Sequence, residues 1–170
     1  DRGGFETSDE DYAQVVRRII DEEIGQGEGA NLVIGRRYNA QVADWGHDRA
    51  LTVFRRLLER ERGAFWTFCI FTGDRYLIGA SPERHVSLDA GQLRMNPISG
   101  TFRMRGLETN ADRKRELLRF LSDEKEIYEL FMVVDEELKM MCDLCHEGGL
   151  VLGPYLKPMS HLVHTEYLLA

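Results

Sequence analysis

Hydrophobic and polar positions alternate along this chain with two different periods. Ser8-Asp9-Glu10-Asp11 has the form of a helix start, a capping serine followed by an acidic first turn. Tyr12, Val16, Ile19, Ile20 and Ile24 then recur at helical spacing, which predicts a helix with one buried stripe, stopped by Gly25 and the glycines after it. Asn31 to Val42 reads as a strand with Leu32-Val33-Ile34 as its apolar centre. A second helix is predicted from about Asp44 to Arg62, with Leu51, Phe54, Leu57 and Leu58 on one face.

A strand meander follows, over Ala64 to Thr72, Arg75 to Ala80, His85 to Leu88 and Gln92 to Asn96. Thr72-Gly73-Asp74 and Asp89-Ala90-Gly91 are short polar turns of the hairpin kind. Ser99 to Glu108 shows turn residues without a clear period and reads as a functional or connecting loop, with Asn110 as a cap beyond it. Ser122 to His146 carries the strongest helical pattern. There Ile127, Leu130, Phe131, Val134, Leu138, Met141 and Cys145 step by three and four. Gly148-Gly149 ends that helix, and Leu150 to Leu152 and His161 to Leu169 read as further strands. This order predicts an α+β fold, with a mixed, largely antiparallel sheet packed against helices.

Composition narrows the function classes. Lys and Arg number 22 against 29 Asp and Glu, a net charge of −7. That balance argues against nucleic acid as a partner, because phosphate binding needs a basic face. The longest apolar stretch, Ala64 to Thr72, is far short of the ~20 residues that cross a bilayer, so no membrane partner is expected. The first residues, Asp1-Arg2-Gly3-Gly4, have no apolar signal region, and three cysteines do not make a secreted disulfide scaffold. The expected location is cytoplasmic. Cys142-Asp143-Leu144-Cys145-His146 spells a haem-attachment string, but Cys145 also continues a helical stripe and no export signal accompanies it.

Several segments could carry chemistry. Gly25, Gly27 and Gly29 follow a helix and lead into a strand, the wrong order for a dinucleotide loop. Ser81-Pro82-Glu83 between two strands is either a plain turn or a general acid at a strand end. Asn96-Pro97-Ile98-Ser99-Gly100-Thr101 offers backbone N–H groups and a hydroxyl that suit a carboxylate. Glu126 and Glu129, three apart on the long helix, lie on one side of it beside the apolar stripe. Such a pair suits Mg²⁺, although a solvated charge row has the same spacing. His161 and His164 fall on opposite faces if both are in an extended strand.

Taken together, Gly79-Ala80-Ser81-Pro82-Glu83, Pro97-Ile98-Ser99-Gly100-Thr101, Lys125-Glu126-x-x-Glu129 and His161-Leu162-Val163 resemble the chorismate-utilising enzymes, the family of anthranilate synthase large subunits, isochorismate synthases and salicylate synthases. Met132 to Met141, Gly153-Pro154-Tyr155-Leu156-Lys157 and His164-Thr165-Glu166-Tyr167 resemble its phenazine branch, the 2-amino-2-deoxyisochorismate synthases. The Arg-Asn-Asp sequence of anthranilate synthases is absent after the long helix begins. The resemblance implies that Glu83 protonates the departing 4-hydroxyl of chorismate and that Gly100 and Thr101 hold a substrate carboxylate. It makes Glu129 a direct Mg²⁺ ligand with Glu126 supporting the hydrated ion, and His161 the active-site histidine.

Asn31 falls where water-adding members carry a lysine and ammonia-adding members a neutral amide, so the resemblance implies ammonia as nucleophile. Residues 1–170 are expected to be a partial chorismate-binding catalytic domain without its C-terminal part or a glutaminase domain, and inactive alone. The implied activity is Mg²⁺-dependent amination of chorismate with glutamine-derived ammonia from a glutaminase domain or subunit. The resemblance leaves room for a homodimer. An anthranilate synthase component that also eliminates pyruvate is the near alternative. A non-catalytic interaction module is the alternative from another class.

Overall fold

The computed structural model describes residues 3–29 and 31–170, so Asp1 and Arg2 of the N-terminal reading lie outside the described residues. The chain divides into two compact units, residues 1–46 and 47–170.

In the first unit, strand β1 (Gly3–Phe5) pairs antiparallel with β2 (Tyr38–Ala40). Between them lies helix α1 (Asp9–Arg18), capped by the Ser8 side chain, which accepts from the Asp11 N–H. The helix widens into a π turn over Ile19–Glu23 and tightens over Ile24–Gln26 before Gly27 ends it at φ +86°. Its expected stripe is only half-buried, and no α1 residue is fully covered. The predicted strand over Asn31 to Val42 is corrected to its last part. Leu32 and Val33 are 44% and 93% exposed. Residues 31–37 find no strand partner among the described residues, and an apolar run without ladder partners does not become a strand. Arg36 organises the segment instead, its guanidinium 4.1 Å from the Phe5 ring centre and donating to the Thr7 carbonyl.

In the second unit, helix α2 (His47–Arg60) packs on the hairpin of β3 (Trp66–Phe71) and β4 (Tyr76–Ser81). Ala50 is fully buried and Phe54 and Leu57 are half-buried, whereas Leu51 and Leu58 of the expected face are exposed. The helix therefore turns a narrower stripe inward, at spacings of four and three. Ser160 ties the end of α2 to a distant hairpin, accepting from the Arg62 N–H at 2.8 Å and donating to the Arg60 carbonyl at 2.6 Å.

The remaining strands form a five-stranded antiparallel sheet. Its centre is β9 (Leu162–Leu169), with β8 (Val151–Pro158) along one edge. Along the other edge lie β6 (Gln92–Asn96) and β7 (Ile98–Arg103), end to end across the buried Pro97. Proline has no N–H to donate, but its carbonyl still accepts from Tyr167 at 3.0 Å. Strand β5 (Arg84–Asp89) extends the sheet beyond β6. Thus Ile98 to Arg103 is a strand where the pattern predicts a loop. The period is hidden because Ser99 is the buried polar residue and Gly100 sits at φ +47° in a bulge against β9.

Helix α3 (Asn110–Leu121) is capped by Thr109 and α4 (Glu124–Leu144) by Asp123. α4 packs on one face of the sheet, where Leu130, Val134 and Met141 bury themselves with Met95 and Leu169. Met141 has no exposed surface. Met141→Ala is expected to lower the urea-unfolding free energy by about 2–5 kcal/mol, through lost burial and a residual cavity. A midpoint within error of wild type would remove this cluster from the role of core. No helix among the described residues is long and apolar enough to cross a membrane.

Candidate active site

The bulge in β7 is the starting point. A Cβ on Gly100 would lie 2.7 Å from Glu126 Oε2, 2.7 Å from the Phe120 ring and 3.3 Å from Thr165 Oγ1. Glycine therefore lets the first turns of α4 press against the strand, with two carboxylates facing it. Ser99 Oγ donates to Glu129 Oε1 at 2.9 Å. Lys125 Nζ pairs with Glu126 Oε1 at 3.1 Å and with Glu129 Oε2 at 2.5 Å. The Lys125 ammonium holds the Glu129 carboxyl below the usual carboxylate range, aided by the Ser99 hydroxyl and opposed by partial burial.

Glu126 Oε2 and Thr165 Oγ1 are buried and accept no hydrogen bond among the described residues. Both residues line a cavity of about 110 Å³ walled by Phe120, Leu130 and Tyr167. Two carboxylates, one with an orphaned oxygen, fit a hard cation that keeps several waters, as Mg²⁺ does. No cluster of three or more His, Cys, Asp or Glu side chains with metal-site geometry occurs among the described residues, so these two make a partial donor set.

On the neighbouring strand, His164 Nδ1 lies 2.8 Å from the Gly100 carbonyl and 3.5 Å from Thr101 Oγ1. A carbonyl only accepts, so Nδ1 carries a proton and donates it to the Gly100 carbonyl. It is His164, not His161, whose ring meets the Gly100–Thr101 segment. His161 sits in the exposed turn before β9. Its backbone carbonyl accepts from the Met104 N–H at 3.2 Å, and its ring makes no hydrogen bond among the described residues. The two histidines are not on opposite faces of one strand, because only His164 belongs to the strand.

Glu83 is exposed in the turn between β4 and β5, where its N–H donates to Ser81 Oγ at 3.3 Å. Asn31 belongs to the first unit, outside any strand, and is exposed. One acid was missed by the sequence reading. Glu137, 7% exposed, occupies the inward stripe of α4 between Val134 and Met141. Its signal was present, since Leu130, Val134, Glu137 and Met141 step by four, three and four.

An antiparallel sheet backed by a helix that presses paired carboxylates onto a Ser-Gly-Thr strand defines an α+β chorismate-binding fold. The chorismate binding enzyme family matches residues 3–165, and the chain belongs to that family. It is 55% identical over 165 residues to a phenazine-specific anthranilate synthase of Pseudomonas chlororaphis, covering 97% of this chain and 25% of that protein. The corresponding protein of Pseudomonas fluorescens is 53% identical over the same coverage. An anthranilate synthase component 1 of Thermococcus kodakarensis is 31% identical over 92% of this chain and 35% of its own length. The chain spans about a quarter of the length of the phenazine-specific relatives it matches. The fold is shared with a crystal structure assigned as a 2,3-dihydroxybenzoate-specific isochorismate synthase from Bacillus anthracis. There the TM-score is 0.83 at 22% identity, over 99% of this chain and 45% of that one.

Proposed function

We propose that these residues belong to a synthase that aminates chorismate at C2 with loss of the C4 hydroxyl, giving 2-amino-2-deoxyisochorismate from glutamine-derived ammonia. The observation that carries the reading is the 55% identity, over nearly the whole chain, to a phenazine-specific relative. Residue chemistry supports it. Glu83 gives the proton that lets the 4-hydroxyl leave as water, which general acid catalysis makes faster by ~10²–10⁴. The Gly100 segment and the Thr101 hydroxyl bind a substrate carboxylate. His164, its ring fixed by the Nδ1–H···Gly100 carbonyl bond, stands at the same place. Glu129 and Glu126 would hold Mg²⁺, whose charge offsets that of a dianionic substrate meeting a protein of net charge −7.

Asn31 is neutral, and ammonia needs no base to expose its lone pair. Water does. Asn31→Lys is therefore expected to reduce amination and to yield some isochorismate, with the lysine amine as base for water. The measurement is the product ratio by chromatography, using the full-length protein that carries these residues with chorismate, Mg²⁺ and saturating ammonium. An unchanged rate and product would remove Asn31 from the nucleophile side. In the same assay a fluorescent aromatic product would move the assignment to anthranilate synthase. The absence of turnover would favour a non-catalytic module.

A further inference from the structure

Two buried oxygens beside the Gly100 bulge have no partner, and the reaction above gives one of them no task. Thr165 is 7% exposed, and its Oγ1 makes no hydrogen bond among the described residues. Neither does Glu126 Oε2, since Lys125 pairs with the other oxygen of that carboxylate. Both residues line the same cavity of about 110 Å³. Measured from a Cβ placed on Gly100, Glu126 Oε2 stands at 2.7 Å and Thr165 Oγ1 at 3.3 Å, so at most about 6.0 Å separates them.

The strand ladder sets the position of Thr165. It pairs with Ser99 across β7 and β9, and residues directly opposite in an antiparallel ladder show their side chains on one face. That face looks at the first turns of α4, because Ser99 Oγ donates to Glu129 Oε1 there at 2.9 Å. The sheet thus presents two neighbouring hydroxyls to two carboxylates three residues apart on the helix. Ser99 reaches Glu129 directly. Thr165 does not reach Glu126, and a gap is left between them.

The gap has the dimensions of one water molecule. A water bonds to an oxygen on each side at ~2.5–3.0 Å, so it bridges oxygens up to ~6 Å apart. A cavity holds a water once it offers ~10–15 Å³ and at least two polar partners, and this one offers both. Phe120, Ile127, Leu130 and Phe131 make much of the remaining wall apolar. Valine would fill the Thr165 position equally well if nothing polar came there, and a hydroxyl sealed in such a wall is costly unless it is hydrogen-bonded. A water that gives one hydrogen to the carboxylate and the other to the hydroxyl oxygen keeps its lone pairs free. Lone pairs are what a hard cation takes from its hydration shell.

We propose that Thr165 Oγ1 and Glu126 Oε2 hold one water between them, and that this water belongs to the hydration shell of the cation at Glu126 and Glu129. Thr165 is then a positioning residue, acting through the water and through Glu126. The proposal rests on the Mg²⁺ reading of the carboxylate pair for its cation, whereas the water bridge needs only the two oxygens.

The first arm of the test is a metal-free crystal structure of the full-length protein that carries these residues, at a resolution that shows ordered water. Wild type is expected to show one water within hydrogen-bond distance of both oxygens. Thr165→Val, which keeps the shape and loses the hydroxyl, is expected to lack it. An empty gap in wild type, or a direct bond between the two oxygens, overturns the bridge.

The second arm measures binding of Mn²⁺ alone to the same proteins, with the free ion counted by EPR and the bound ion displaced by Mg²⁺. Both ions take oxygen ligands of the same kind. Thr165→Val is expected to weaken binding about tenfold, the lower end of the range for groups that hold a metal's ligands from behind. Thr165→Ser restores the hydroxyl and is expected to stay within about twofold of wild type. Unchanged affinity in Thr165→Val overturns the proposal. An equal loss in Thr165→Ser also overturns it, because shape rather than the hydroxyl would then be responsible. Absence of Mn²⁺ binding by wild type would defeat the metal reading and the cation half of the proposal with it, while the first arm decides the bridge by itself. Neither arm uses chorismate, so failure of the chorismate reading shows separately, as absent turnover.

Discussion

Glu83→Gln is expected to lower chorismate turnover by ~10²–10⁴, the range over which a positioned general acid acts. Glutamine keeps the size and polarity of the side chain and removes only its transferable proton. Because Glu83 stands exposed in a turn, the substitution leaves the sheet and the α4 core intact, and any loss is chemical rather than structural. The same C4 hydroxyl leaves whether ammonia or water attacks, so both product channels should fall together, in contrast to Asn31→Lys, which redistributes them. The check is chorismate consumption by chromatography, with Mg²⁺ and saturating ammonium, on the full-length protein that carries these residues. A loss smaller than about tenfold would show that the proton comes from elsewhere. The acid assignment would then pass from the Ser81-Pro82-Glu83 turn.

Gly100→Val is expected to act on stability and on the site at once. Its φ of +47° is strained for any residue with a Cβ, and most of all for a branched one. The added carbon would also stand 2.7 Å from both Glu126 Oε2 and the Phe120 ring. Phe120 cannot simply turn away, because its ring packs against Phe102 at 5.6 Å between centres. Backbone strain and overpacking together point to a loss of ~2–5 kcal/mol in unfolding free energy. The first turn of α4 must back away from β7, which separates Glu129 from Ser99 and opens the carboxylate pair. Denaturant unfolding measures the first effect, and Mg²⁺ titration of the Glu126 and Glu129 carboxyl resonances the second. Wild-type values in both would mean that close approach at Gly100 does not hold the pair in place.

What could be read from the sequence followed from local rules. The long helix, its capping and its apolar steps needed nothing beyond the 3.6-residue period, and the structure places α4 within two residues of the predicted bounds. The four strands from Trp66 to Asn96 were equally legible, because their turns carry Gly and Asp where tight turns need them, but they do not form one meander: β3 and β4 pair only with each other, while β5 and β6 join the larger sheet. Glu126 and Glu129 could be placed on one side of a helix for the same reason. The strand expected at Leu32 to Ile34 failed for want of a partner. Ladder pairing is a property of two segments, and only Tyr38–Ala40 meets one among the described residues. The loop expected at Ser99 to Glu108 holds from Met104 onward, but over Ser99 to Arg103 it failed in the opposite sense, since β9 supplies partners 59 to 66 positions away and makes a strand of residues with no period of their own.

The site shows the same division more sharply. By itself, the sequence determined which residue types are available: a proline-flanked acid, a Ser-Gly-Thr run, a carboxylate pair and two histidines three apart. It determined the helices and the α+β class, because both depend on interactions within a few residues. Only the tertiary structure decided that His164 rather than His161 meets Gly100, since the choice depends on where the β8–β9 turn ends and the ladder begins. Only the tertiary structure made Glu137 a buried acid, because burial is a sum over neighbours drawn from the whole sheet, with Met95 and Leu169 packed beside its own stripe. Local spacing orders side chains around one helix. What those side chains face, and therefore how their charges behave, is set by segments that pair across the length of the chain.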